Sequence, residues 1–182
     1  MYQNGASSGS FLIGKEAMGA AQSYIKNVDG NEIFLADNIV VNNFMRTLGD
    51  WRSKYIMSIP KPTVKAVEFI SGKETFKVVK DSTGKYYIGK DTVNYTAWEG
   101  ILNLLNDFNT QGFKDSVIGP DMKPSNTVKV DWNKSTEINF YPVASDTNKY
   151  ILKVSDIHQL FEVDKGFANN LLKSRSDILP KK

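Results

Sequence analysis

Three stretches of the chain carry apolar side chains at helical spacing, and the segments between them alternate with a period of two. In the first stretch Val41, Phe44, Met45 and Leu48 fall at i, i+3, i+4 and i+7, which predicts one apolar stripe on a helix. Asp37 or Asn38 is placed to cap its start, and Gly49 stands where helices commonly stop. The strongest pattern is the broad face of Ala97, Trp98, Ile101, Leu104, Leu105 and Phe108. Thr96 followed by Glu99 forms a capping box there, with Asn94 as an alternative cap just upstream. The third stretch puts Phe167, Ala168, Leu171 and Leu172 on one face behind Asp164 as cap. Lys173 and Arg175 in its last turn suit the negative end of a helix.

Strands are predicted between these helices. Val64, then Ala66 or Val67, then Phe69 open one strand, and Ser71-Gly72-Lys73 reads as a turn. Residues 74–80 follow with Phe76, Val78 and Val79, and Asp81-Ser82-Thr83-Gly84 turns the chain into Tyr86-Tyr87-Ile88. This is a three-stranded meander delivered onto an amphipathic helix. Later, Val128, Val130 and Trp132 alternate with Lys129 and Asp131. Further strands are expected at residues 138–141, 150–154 and 159–162, with a long connector over residues 112–126. The fold class expected is therefore α+β: short antiparallel strands, each set packed with an amphipathic helix.

The chain also resembles itself. Residues 32–37 match 159–164 at an offset of 127, and Asn42-Asn43-Phe44-Met45-Arg46 matches Asn169-Asn170-Leu171-Leu172-Lys173 in that register. Tyr24-Ile25 aligns with Tyr150-Ile151 through a one-residue gap. Arg52-Ser53-Lys54-Tyr55-Ile56 aligns with Arg175-Ser176-Asp177-Ile178-Leu179 only if four residues, about one helical turn, are dropped. The predicted organisation is one and a half repeat units. Residues 1–60 are the second half of a preceding unit and 61–182 a full one. The full unit divides into a meander plus helix (62–112), a connector (113–126) and strands plus helix (127–179). Pro60 and Pro62 suggest a stiff joint at residues 58–62.

Several of these segments form a recognisable set: Leu12-Ile13-Gly14-Lys15, Tyr24-Ile25-Lys26, Ile33-Phe34-Leu35, the helix after Val41, and Trp51-Arg52-Ser53-Lys54-Tyr55-Ile56. With Val64-Lys65-Ala66-Val67-Glu68-Phe69 and Gly84-Lys85-Tyr86-Tyr87-Ile88, this arrangement resembles the bacterial domain-of-unknown-function 4340 family. The second copy departs from it, with Phe140 where the first has Gly14 and Asp177 where the first has Lys54. The resemblance implies a membrane-tethered protein with repeats outside the cytoplasm, in the periplasm or cell envelope. It also implies a gene often placed beside ABC-transporter components of the gliding-motility type. The family defines no catalytic residues, so none are carried over.

Composition narrows the alternatives. The chain has 182 residues, 41% hydrophobic and 12% aromatic, enough apolar material to offset the entropy of ordering it. A net charge of +3 from 23 basic and 20 acidic residues gives no footprint for nucleic acid or anionic lipid. There is no cysteine, which removes disulfides and thiolate chemistry. No apolar run reaches bilayer-spanning length. The polar opening, residues 1–10, reads as the flank of a longer chain, so any membrane anchor is expected in a segment outside these residues.

Candidate chemistry is sparse. Gly9–Lys15 and Gly84–Lys90 fit G-x-x-x-x-G-K, but Glu16 and Asp91 stand where a phosphate loop needs a hydroxyl, and the intervening residues read as strand. His158 is the single histidine; it makes no multi-histidine metal site, and Asp156 two residues away does not complete a triad. Trp98 reads as core. Trp51 and Trp132 sit among polar neighbours and are the two candidate contacts for a partner or ligand. No catalytic, cofactor or metal residue is assigned. The function expected is a non-enzymatic, extracytoplasmic scaffold or interaction module working with subunits of an ABC-type membrane transporter. The rival is a glycan- or peptide-binding module with an aromatic-lined groove between repeats. A hydrolase built on His158 ranks third.

Overall fold

A computed structural model describes residues 9–19, 21–72, 74–110, 112–115, 118–119 and 122–180, with the backbone of Tyr2–Gln3 and Ala6–Ser7. The chain divides into two compact units, Met1–Arg52 and Ser53–Lys182. Helices and antiparallel sheets make it α+β, with sheet predominating.

The first unit begins with the short pair β1 (Tyr2–Gln3) and β2 (Ala6–Ser7). An antiparallel meander follows: β3 (Phe11–Glu16), β4 (Gln22–Asn27) and β5 (Ile33–Asp37), in that order across the sheet. Two short helices close the unit, α1 (Asn38–Phe44) and α2 (Leu48–Trp51). The expected single helix through Leu48 is thus broken. Thr47 supplies the break, because its N–H (2.8 Å) and its Oγ1 (2.7 Å) both donate to Asp50 Oδ2 in a capping box that starts a new helix. Gly49 therefore lies inside α2 and is not a stop. Asn38 ties α1 to the sheet: its Oδ1 accepts from the buried Ser23 hydroxyl at 2.7 Å, and its amide donates to Glu16 at 3.3 Å.

The second unit opens with β6 (Tyr55–Met57) and a single 3-10 turn at Lys61–Thr63. The expected joint at residues 58–62 is instead packed inside this unit. Ile59 is fully buried, its N–H donates to Leu105 O at 2.9 Å, and Ser58 Oγ reaches Asn106 O. The expected meander forms as β7 (Ala66–Ser71), β8 (Thr75–Lys80) and β9 (Tyr86–Ile88), extended by β10 (Asp91–Thr92). It leads into α3 (Tyr95–Asn106). Asn94, not Thr96, is the cap: its Oδ1 accepts from Ala97 N at 3.1 Å. The inward stripe of α3 is Trp98, Ile101, Leu102 and Leu105. Phe108 belongs to β11 (Phe108–Asn109), which pairs with β6.

The predicted connector contains another strand, β12 (Gly112–Lys114), which pairs with the last strand of the sheet. The remaining strands are β13 (Asn126–Asp131), β14 (Ser135–Val143), β15 (Asp146–Val154) and β16 (Leu160–Asp164). Among the described residues they complete a nine-stranded antiparallel sheet, ordered β10-β9-β8-β7-β13-β14-β15-β16-β12. The pairing registers set Phe76, Phe69, Val128, Ile138 and Val154 side by side across five strands. That row is buried, and α3 belongs to the same continuous core. Two helices end the unit: α4 (Lys165–Leu171), capped by Asp164 Oδ1 at 2.6 Å from Phe167 N, and α5 (Arg175–Ile178). Arg175 opens α5; it does not close α4. A capping box of Ser174 and Asp177 starts it, as Thr47 and Asp50 start α2.

The two units share more than a motif. Asn38 and Lys165, Phe44 and Leu171, Leu48 and Arg175, and Trp51 and Ile178 bound corresponding helices, and each pair is 127 residues apart. The sheets keep the same spacing. Phe34 pairs with Ile25, which pairs with Ile13; Phe161 pairs with Leu152, which pairs with Phe140. The gaps expected from sequence are therefore unnecessary. Tyr24 falls at Ile151 and not at Tyr150, and residues 47–51, not 52–56, correspond to 174–178.

A salt link fastens the β13–β14 turn to the end of β15. Asp156 accepts from Lys134 Nζ in a close ion pair and from Ser155 Oγ at 3.0 Å. These bonds, Lys134 first, hold its carboxyl below the ordinary 3.8. A carboxylate depressed on folding stabilises above its unfolded pKa, and that contribution disappears as pH falls through the folded value. Asp156→Asn should therefore lower the urea midpoint slightly at pH 6, with the gap to wild type closing below about pH 4. An undiminished gap at pH 2.5 would show that the link is not electrostatic.

Candidate interaction surface

The residues singled out from sequence lie in different surroundings. Trp132 is half-buried in the turn between β13 and β14 and packs against the main core. Its Nε1 donates to Thr136 Oγ1 at 3.1 Å, and the Lys134 ammonium lies 5.7 Å from the ring centroid. Its edge and one face are thus used within its own hairpin. Trp51 ends α2, is 64% exposed, and has the Arg46 guanidinium 5.6 Å from its ring. The two stand in separate units.

His158 is exposed in the turn between β15 and β16, while its neighbour Asp156 is engaged by Lys134 and Ser155. Both G-x-x-x-x-G-K segments are built on strand, as their residues predicted. Gly14 lies within β3, and β9 separates Gly84 (φ +88°) from Gly89 (φ +64°), which serve as turns. Among the described residues no group of three or more His, Asp or Glu is gathered to hold a metal ion.

Two recesses mark the second unit. One of about 280 Å³ is lined by Tyr86, Val93, Tyr95, Trp98, Glu99 and Leu102. Tyr86 and Trp98 meet there with centroids 5.0 Å apart, and the Tyr86 hydroxyl donates to Val64 O at 3.0 Å. Burial, with the nearby Glu99 charge, pushes the Tyr86 phenol up from 10.0. The second recess, about 690 Å³, lies among Glu74, Lys90, Asp91 and Arg175. Its charges are structural ties: Arg175 N–H donates to Glu74 Oε2 at 3.0 Å, and its guanidinium meets Asp91 at 3.3 Å. They hold α5 against the meander.

The first unit is the unusual one. Among its described residues only Val41 and Ser23 are buried. Phe34 on β5, Val40 and Phe44 on α1, Met45 just after it, and Leu48 and Trp51 on α2 are all exposed. At the spacing of 127, Phe161, Phe167, Leu171, Leu172 and Ile178 occupy the positions of Phe34, Val40, Phe44, Met45 and Trp51. All five belong to or pack on the main core of the second unit. Ile178 is 0% exposed where Trp51 is 64%, and Leu171 0% where Phe44 is 48%. The helix stripe read from the sequence is real, but in the first unit nothing described covers it. An apolar set containing Trp, Phe and Met beside an Arg has the composition of an interface core.

The class defined by these observations is a sheet-rich α+β chain whose first unit presents an interface-type apolar face. The chain belongs to the domain of unknown function family DUF4340, whose family model matches residues 2–130. No curated protein matches the chain, and neither does any solved structure. Among the described residues no helix is long and apolar enough to cross a membrane.

Proposed function

We propose that this chain is a non-enzymatic interaction module: repeated strand–helix units that form an extracytoplasmic scaffold working with an ABC-type membrane transport complex. The observation that carries the reading is the first unit, which orders apolar side chains on a sheet and two helices yet buries almost none of them. A unit of about 50 residues gains its stability from buried apolar surface. One that leaves this surface open is made to be covered by protein. The matching elements and registers 127 residues apart support the repeat. The association with a transporter and the compartment follow from the family resemblance, which supplies no catalytic residue. Full-length protein used as bait in solubilised membranes should recover transporter subunits. Recovery of none, with the bait folded, would overturn the transporter part of this reading.

A second reading rests on Trp51, whose exposed ring beside Arg46 has the make-up of a stacking platform for a sugar or a peptide. Saturable quenching of tryptophan emission by cell-wall fragments, abolished in Trp51→Ala, would favour it over the scaffold.

A further inference from the structure

We infer that the open face of the first unit is the seat of a second meander-plus-helix segment, carried ahead of residue 1 on the same polypeptide. The inference rests on the reading of the chain as repeated units and names what completes the first of them. The second unit is the template. There, Phe161, Leu171 and Ile178 are buried in one core with Trp98, Ile101 and Leu105 of α3. The seal is specific: Phe108, just after α3, stacks on Phe167 of α4 with centroids 5.6 Å apart. The backbone N–H of Asn94, the α3 cap, donates to Ile178 O at 2.7 Å. Phe34, Val40, Phe44 and Trp51 stand at the positions of Phe161, Phe167, Leu171 and Ile178, so they present the same seat without the helix.

The sheet edge points to the same occupant. In the second unit β14 carries β13 and then β7 on the side away from β15. In the first unit β3, the counterpart of β14, ends its three-stranded sheet. A segment made like residues 62–131 would extend the sheet from β3 while its helix covers the apolar face, two contacts made by one body. The offset of 127 carries the counterparts of β7 through α3 to positions ahead of residue 1. A second copy cannot donate its own α3 without uncovering its own α4 and α5, so the occupant is a further segment of the same make.

The absence of cysteine permits a direct test by thiol labelling. Trp51→Cys and Phe44→Cys report on the face, and Met18→Cys, on a fully exposed position of the same unit, is the control. Each variant is made in the 182-residue chain and in the polypeptide as the native cell produces it. All three thiols should react quickly in the 182-residue chain. In the native polypeptide the two on the face should react at least about tenfold more slowly, since a covered site must open to be labelled, while Met18→Cys is unchanged.

Equal rates in both forms would overturn the proposal, as would a native polypeptide that begins at Met1. Slow labelling already in the 182-residue chain, with a doubled mass in sedimentation, would give the face to a second copy and overturn it too. Protection that appears only when membranes are added would assign the face to another protein, leaving the scaffold reading intact. Protection in the purified native polypeptide without recovery of a transporter would sink the transporter association and leave this docking standing.

Discussion

Trp98→Ala is expected to destabilise the second unit by about 3–5 kcal/mol, the range for removing a large aromatic from a closed core. Trp98 is 1% exposed and lies within the core where α3, α4, α5 and the sheet meet. Its ring also meets Tyr86 at 5.0 Å. For a unit of this size that loss is roughly 10–20 °C in melting temperature. The indole N–H carries a compensating defect, for it is buried without a hydrogen-bond partner in the described structure. An unsatisfied buried donor costs about 1–3 kcal/mol, so Trp98→Phe removes part of the packing and the orphan together. The phenylalanine variant should therefore lose less than half as much as the alanine variant. Urea unfolding followed by circular dichroism reads both. A phenylalanine variant as unstable as the alanine one would mean that the N–H has a partner after all.

The second large effect comes as a contrast between positions 127 residues apart. Ile178→Ala should cost about 2–5 kcal/mol, because Ile178 is fully enclosed and its removal leaves a cavity beneath α3. Trp51→Ala, at the corresponding place in the first unit, should cost about 1 kcal/mol or less in the 182-residue chain. It gives up only an exposed ring and its contact with Arg46. The larger side chain thus has the smaller effect. A Trp51→Ala loss equal to that of Ile178→Ala would show that the first unit's face is already covered in this chain.

Much of the fold was legible because it depends on local patterns. The meander from β7 to β9, the strands β13 to β16, and the cap at Asp164 follow from alternation, turn residues and a side chain that accepts a backbone N–H. The strand character of both G-x-x-x-x-G-K segments was equally plain from the apolar residues between their glycines. Misreadings occurred where two local signals competed. Thr96 with Glu99 and Asn94 were both credible caps, and Asn94 prevails where its own N–H is held by Ile178 O from another helix. Thr47 broke a periodic stripe that ran through it, because its capping box with Asp50 starts a helix wherever the chain permits. The similarity between residues 33–51 and 160–178 was visible, but the ladders alone removed its gaps, since register follows pairing partners rather than letter identity.

Trp51 and Trp132 mark the boundary between the two kinds of information. Both are aromatic side chains among polar neighbours, yet one is committed to Thr136 and its own hairpin while the other faces solvent. Alternation and helical period determine which side of a strand or helix is apolar, because they follow from the backbone's own geometry. Whether that side is covered depends on which other element the chain brings over it. Tertiary structure alone decided that α3 seals Leu171 and Ile178 while Phe44 and Trp51 stay open. Burial belongs to the pair of surfaces that meet, and one stretch of sequence encodes only its own half.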